Sequence, residues 1–450
     1  MARAASPARR RAVAALREIL ERSGRASALL AEKSRDLSPQ DADLMRTIVL
    51  GVLRHRTALD SELAAVSRVA LPRLAPNLRE ILEVALFQVR HLDRVPAYAA
   101  VDEAVSHARA RAGAGAAGLV NAILRNLLRR PPPGPPEASG RGAEELSAAF
   151  SHPRFLVERW LARFGPETTL KILQADNAAS GLDLLTNPRK GSREELSAAL
   201  AAQGIETSDS PLTPLALSVT SGNPVRSPLL AAGHFLIQDV GSQALALLLP
   251  SGETLVDLAA APGGKSFSSV LHGRARRSIA LDSSPARLKL LLENRARLGA
   301  AEVLAAAGDV LASPLSPGRF ERVLYDAPCS GTGTLRKNPE IRYRVTAQAI
   351  ERLARAQEAG LEAASGLLAP GGYLLYSTCS LETEENDRVV ERVLARQAGL
   401  RPAPIEAPEG LAPFVSGNRF QILPGPASDG FTAHLIRRGG SSGADRPGGS

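Results

Sequence analysis

Cys329 in "YDAPCSGTGT" and Cys379 in "YSTCSLETEEN" are the only two cysteines in 450 residues. Each follows an apolar run and sits among Ser, Gly and Thr, the setting of a loop at a strand end. Without CxxC spacing they argue against a zinc site or a disulfide framework. A thiol in such a loop can serve as a nucleophile. Carboxylates recur in similar places. Asp282 closes "RSIALD", Asp309 closes "AEVLAAAGD", and Asp326 closes "FERVLYD" immediately ahead of Ala327, Pro328 and Cys329. An acid ending the second strand of a nucleotide-binding sheet, about 20 residues past a glycine loop, meets ribose hydroxyls. Asp309 is placed to accept from an adenine amino group. The alternative is that each Asp only caps the element after it.

The glycine loop is "DLAAAPGGKS", with Ala259, Ala260, Ala261, Pro262, Gly263, Gly264 and Lys265 between a strand and a helix. Glycine lets the backbone approach a ligand, and a helix N-terminus favours negative charge. A phosphate-binding P-loop needs a glycine five residues before Gly264, where Ala259 stands. The G-x-G-x-x-G dinucleotide pattern is also missing. Strands ending in Asp beside this loop point to an adenosine ligand other than NAD.

Alternating strands and helices must position these groups. From about residue 250, "TLVDLAA", "RSIALD", "AEVLAAAGD", "FERVLYDAP" and "YLLYSTCS" read as strands. Helices fall between them, which predicts a parallel doubly wound sheet with its ligands at the strands' carboxyl ends. Both cysteines then open into one cleft. Residues 9–130 read as successive helices, including one capped by Ser38 with Pro39 in its first turn. "PPPGPPEASGRGA", residues 131–143, reads as a linker. Residues 144–240 read as a small α/β module, with a capping box of Ser192 and Glu195.

The chain carries 55 basic and 46 acidic residues, a net charge of +9, and only six of the basic residues are Lys. Arginine excess suits phosphate recognition, although a GC-rich genome produces the same bias. No apolar run approaches the roughly 18 residues of a membrane span. The expected protein has no membrane segment and no metal, and works in a reducing cytoplasm.

"DLAAAPGGKS", "DAPCSGTGTLRKNPEIRYR" and "YSTCSLETEEND" resemble the three central motifs of the Nop2/Sun family of RNA (cytosine-5) methyltransferases. "FLIQDVGSQ" and "SDGFTAHLIRR" resemble family segments that flank them. The helical N-terminal part resembles NusB, an RNA-binding fold, and this combination is that of the family's bacterial ribosomal branch. Ala259 stands where the family usually has cysteine, and Leu185 where an arginine is common.

The resemblance implies a multidomain chain. A NusB-like all-α domain (1–130) and a linker (131–143) precede a small α/β RNA-binding module (144–240). A Rossmann-like S-adenosylmethionine-dependent methyltransferase domain (241–438) and a disordered tail (439–450) follow. It implies a monomer that methylates C5 of a cytosine in 16S ribosomal RNA. Residues 259–265 with Asp282, Asp309 and Asp326 would hold the cofactor. Cys379 would be the nucleophile, Cys329 the release residue and Asp326 the reader of the cytosine N3/N4 edge. The residues alone leave open which cysteine attacks. They also leave open a transfer RNA or other RNA target, and a non-catalytic NusB-like RNA-binding factor.

Overall fold

The structure is a computed structural model that describes residues 6–21, 26–75, 77–131, 134, 142–179 and 181–440. Most of the expected linker and nearly all of the expected tail lie outside the described residues. The chain forms two compact units, one of residues 1–179 with 335–344 and one of residues 180–334 with 345–450.

The first unit is helical: α1 (Pro7–Glu21), α2 (Ala26–Lys33), α3 (Pro39–Ala64), α4 (Leu78–His91), α5 (Ala97–Leu128), α6 (Ala143–Phe150) and α7 (Arg154–Asn177). Ser38 caps α3 as expected, its hydroxyl accepting from Asp41 N at 3.2 Å. Two expected helices run together as α5 across Gly113, whose φ of 82° breaks the helical path. Leu16, Ile48, Leu53, Leu82 and Leu124 share one core. Gly51 lets α3 meet α4, because a Cβ there would lie 1.9 Å from the Phe87 ring.

Helices α6 and α7, expected with the small module, belong to this unit. So does the short segment Leu335–Arg344, which directly follows the Cys329 loop in sequence. Buried Arg342 explains why. It donates to Arg54 O at 2.7 Å, Asn177 Oδ1 at 2.8 Å and Asp176 O at 2.9 Å. Arg54 in turn donates to Arg336 O at 2.8 Å, and the Tyr343 hydroxyl donates to Leu53 O at 2.6 Å.

The second unit opens with β1 (Asp183–Thr186), α8 (Arg193–Ala201), β2 (Glu206–Asp209), β3 (Ala216–Ser221), α9 (Pro228–Ala231) and β4 (Phe235–Ile237). The four strands form an antiparallel sheet in the order β2-β3-β1-β4. The capping box of Ser192 and Glu195 starts α8. Leu185 on β1 is fully buried, with β3 and β4 on either side of its strand.

The larger sheet follows: α10 (Val240–Leu245), β5 (Gly252–Asp257), α11 (Gly264–Leu271), β6 (Ala275–Asp282), α12 (Pro285–Leu298), β7 (Val303–Ala307), β8 (Phe320–Asp326), α13 (Ala347–Gly366), β9 (Leu368–Thr378), α14 (Asp387–Arg396), β10 (Leu400–Pro402), β11 (Val415–Ser416), β12 (Arg419–Ile422) and β13 (Phe431–Arg438). Strand order is β11-β12-β13-β9-β8-β5-β6-β7, with β10 on β13. The five strands β7, β6, β5, β8 and β9 are parallel, as expected. β13 lies antiparallel against β9, so the sheet as a whole is mixed. Successive residues Val323, Leu324 and Tyr325 enter cores on opposite faces, as do Leu374, Leu375 and Tyr376. Burial on both sides explains why these strands read as continuous apolar runs.

The order reverses between β5 and β8. In open α/β sheets that reversal opens the ligand crevice beyond the strands' carboxyl ends. β5 and β8 end there in Asp257 and Asp326.

Candidate functional site

β5 runs into the glycine loop and then α11. Gly263 has φ 104°, a left-handed conformation that favours glycine, and a Cβ there would come within 2.3 Å of Phe267. Gly264 faces Gln238, whose side chain would be 3.2 Å from an added Cβ. Asp282 accepts from Ala261 N at 3.0 Å and from Ser284 N at 2.9 Å, and Arg287 lies 3.5 Å away. One buried carboxylate thus ties the loop to the end of β6. Asp309 is exposed beyond β7, and its oxygen accepts from Leu311 N at 2.9 Å, so it does cap a turn.

At the crevice, Lys265 donates to Asp326 Oδ2 at 2.6 Å and the Ser377 hydroxyl to Oδ1 at 2.8 Å. Burial alone would favour a neutral Lys265 amine. The Asp326 charge and hydrogen bond outweigh it and raise the lysine's pKa. Both Asp326 oxygens are therefore acceptors, and the proton donor at this spot is Lys265. The sequence reading of Asp326 did not foresee Lys265 as its partner. Asp257 is fully buried, and desolvation pushes its carboxyl up to about 6 although Ser266 donates to it at 2.8 Å.

The cysteines do share one place. Cys329 Sγ and Cys379 Sγ are 3.4 Å apart as free thiols, both half-buried. The Cys329 thiol is pushed well above its usual range. The hydrogen bond to Cys379 is the largest cause, followed by burial and by the negative charges of Cys379, Glu385 and Asp326. Either sulfur of the pair can act as the donor.

Sequence reasoning missed three supports around the thiols. Gln357 on α13 donates to Pro328 O at 2.9 Å. Asn386 donates to Ser380 O at 3.0 Å and to Glu382 O at 2.8 Å, and accepts from Thr378 Oγ1 at 2.6 Å. Glu385, wholly buried, accepts from both cysteine loops. The signal for Glu385 and Asn386 was the polar run "ETEEN" after Cys379, and Gln357 carried none.

The two flanking motifs also meet. Asp239 caps α10 by accepting from Gly241 N at 2.8 Å, and it receives Ser428 Oγ and Asp429 N, each at 3.4 Å. Among the described residues no cluster of three or more His, Cys, Asp or Glu could hold a metal, and no helix is long and apolar enough to cross a membrane.

Parallel strands with this reversal, a glycine loop after the first and an acid at the end of the second define a Rossmann-like α/β domain with a ligand crevice at the carboxyl ends of its strands. Comparison with known proteins narrows the class. The model of 16S rRNA methyltransferase RsmB/F matches residues 244–436, the NusB family model residues 6–129, and an RsmF/B-like ferredoxin-like domain residues 152–226. The chain is 32% identical to the probable ribosomal RNA small subunit methyltransferase B of Bacillus subtilis, over 91% of this chain and 93% of that one. It is likewise 32% identical to the ribosomal RNA small subunit methyltransferase B of Vibrio cholerae, over 93% and 95%. The chain belongs to the 16S rRNA methyltransferase RsmB/F family, a family of RNA methyltransferases.

Among solved structures, PH0851 aligns with TM-score 0.78 and 25% identity over 97% of this chain and 100% of its own. NSun6 from Pyrococcus horikoshii, solved with SFG, aligns with TM-score 0.56 and 22% identity over 64% and 98%, a likeness of fold.

Proposed function

We propose that this protein transfers a methyl group to C5 of a cytosine in 16S ribosomal RNA through a covalent bond between Cys379 and C6. The observation that carries the reading is the pair of sulfurs 3.4 Å apart, in the loops that follow β8 and β9 beside the Lys265–Asp326 ion pair.

The cofactor site fits an adenosine ligand by the chemistry of its donors and acceptors. Asp257 Oδ1 and Gln238 Oε1, beside the glycine loop, are buried polar atoms without a hydrogen-bond partner in the protein. Residues 259–265 with Asp282 and Asp309 would hold S-adenosylmethionine, which supplies an electrophilic methyl group.

Cytosine C5 is a poor nucleophile. Addition of the Cys379 thiolate to C6 pushes an electron pair to C5, which becomes enamine-like and able to take the methyl. Asp326 accepts from the exocyclic amine, while the Lys265 ammonium donates to the ring edge and offsets the charge that builds there. Once Cys379 is bonded to carbon it no longer accepts from Cys329 or carries charge beside it. Both causes of the raised Cys329 pKa that involve Cys379 then vanish, which makes its proton easier to lose. Its thiolate takes the C5 proton, the C6–sulfur bond breaks, and Cys379 leaves as the thiolate.

The target base must leave its stack for its C6 to be reached. The basic helical unit and the four-stranded module supply phosphate contacts. A cytoplasmic site of action fits an RNA substrate of this kind.

The test uses 16S RNA, labelled methyl donor and bisulfite sequencing. Cys379→Ala abolishes methylation and forms no adduct, whereas Cys329→Ala accumulates a protein–RNA complex that survives denaturing electrophoresis. The opposite pattern assigns the attack to Cys329.

A further inference from the structure

Between and behind the two cysteine loops lies a carboxylate to which no role has been given. Glu385 is fully buried, in the short turn between β9 and α14. Its Oε1 accepts from Ser330 N at 2.8 Å and from Gln357 Nε2 at 3.0 Å. Its Oε2 accepts from the Ser380 hydroxyl at 2.5 Å and also from the Ser330 hydroxyl. Ser330 is the residue after Cys329, and Ser380 the residue after Cys379. One side chain thus grips the two loops at equivalent positions, each one residue past the sulfur.

Burying a carboxylate is costly unless its lone pairs are used, and here four donors use them. Packing alone does not require this arrangement. Two loops from separate strands could each be pinned locally, as Asn386 pins the Cys379 loop through Ser380 O and Glu382 O. The loops also meet directly, through Leu381 N to Thr332 Oγ1 at 2.9 Å and Gly333 N to Cys379 O at 3.0 Å, and Glu385 is the buried charge that spans both next to the sulfurs. Gln357 extends the grip, since the amide that donates to Glu385 also donates to Pro328 O at 2.9 Å, just ahead of Cys329. Tyr376 OH donates to Glu385 O at 2.5 Å and holds the turn to β9.

We propose that Glu385 is a positioning residue that locks the Cys329 and Cys379 loops in register, so that both sulfurs meet the same substrate atoms. This rests on the reading of the cysteines as a working pair. Attack and release act on neighbouring carbons of one ring, so a loop slipping by even 1 Å costs on the order of a hundredfold in rate. The same carboxylate adds negative charge beside Cys329 and helps to hold its proton until Cys379 is occupied.

The experiment reads sulfur geometry without using activity. The full-length protein is treated with diamide, which removes two electrons and two protons from the thiol pair to make a disulfide and is itself reduced to the hydrazine. Loss of free thiols is followed over time by mass spectrometry. Wild type closes the Cys329–Cys379 bond rapidly. Glu385→Ala closes it about tenfold or more slowly, while Glu385→Gln stays within about threefold of wild type, since a glutamine amide can still bridge the backbone and the two hydroxyls. Alkylation of each cysteine in single-cysteine backgrounds shows whether the thiols remain reachable. Should Glu385→Ala fail to fold, the Ser330→Ala/Ser380→Ala pair removes the hydroxyl arms and is expected to slow closure in the same way.

A Glu385→Ala protein, folded by its circular dichroism, that closes the disulfide at the wild-type rate overturns the clamp. If wild type itself fails to close the bond, the paired-thiol geometry is wrong and the clamp falls with it. If the clamp behaves as stated but both cysteine variants still methylate cytosine, the catalytic reading fails while the clamp stands.

Discussion

Two buried charges organise loops in this chain, and they do so in opposite senses. In the helical unit the Arg342 guanidinium donates outward to the carbonyls of Arg54 and Asp176 and to Asn177 Oδ1. In the sheet unit the Glu385 carboxylate accepts inward from Ser330, Ser380 and Gln357. Arg342 ties α3 to the end of α7 within the helical unit, so its work is structural. Glu385 sits one residue from two reactive sulfurs, so its work shows in chemistry. The contrast teaches that a buried charge should be judged by what its partners do next, since burial itself is costly in both places.

Removing each charge sharpens the difference. Arg342→Met should cost the most stability, about 3–5 kcal/mol, by leaving backbone acceptors unpaired in the interior. Denaturant melts of the full chain measure it. The diamide rate of the cysteine pair should not change in the folded fraction; a slowed rate there would erase the contrast. Next comes Lys265→Met, which removes the donor facing Asp326 and should lower kcat by about a hundredfold while leaving the fold intact. Wild-type kcat in this variant would show that the ion pair is only structural.

The smallest effect belongs to Asp257. Its native pKa of about 6 lies above the ordinary carboxylate value of 3.8, so the native state binds the proton more tightly than the unfolded chain does. Its contribution to stability is full below about pH 4 and is lost as pH rises through about 6. Asp257→Asn should therefore gain on wild type between pH 4.5 and 7.5, by something on the order of 2 kcal/mol. Parallel stability profiles across that range would place the carboxyl in a less costly setting than its burial implies.

Much of this architecture was legible because it is local. Ser38 and the Ser192–Glu195 box mark helix starts through contacts three residues apart or fewer. The strand–helix alternation and the strand-end Asp residues are likewise written in short runs. The sulfur pair could be anticipated because two parallel strands must deliver their following loops to the same edge of the sheet.

What escaped is long-range. Glu385 reaches Ser330 across 55 positions, and Lys265 reaches Asp326 across 61. No periodicity marks such partners. The proline-rich stretch suggested a boundary near residue 143, yet α6 and α7 pack with the helices before it, because Arg342 links Asp176 and Asn177 to Arg54. The antiparallel β13 was recognisable as a strand, but its direction depends on the connection through residues 397–430, which carries no helix long enough to return it parallel.

The membership of Leu335–Arg344 in the helical unit has a consequence for how the chain is made. A domain translated first ordinarily folds first. Here the groups that receive Arg342 are synthesised early, whereas Arg342 itself comes only after residues 180–334. At about 5–20 residues per second that interval lasts roughly ten to thirty seconds. The N-terminal helices must therefore persist on the ribosome without their last piece. They reach their final form only when the Cys329 loop has itself been translated, so the timetable of synthesis ties the completion of the helical unit to the appearance of the reactive site.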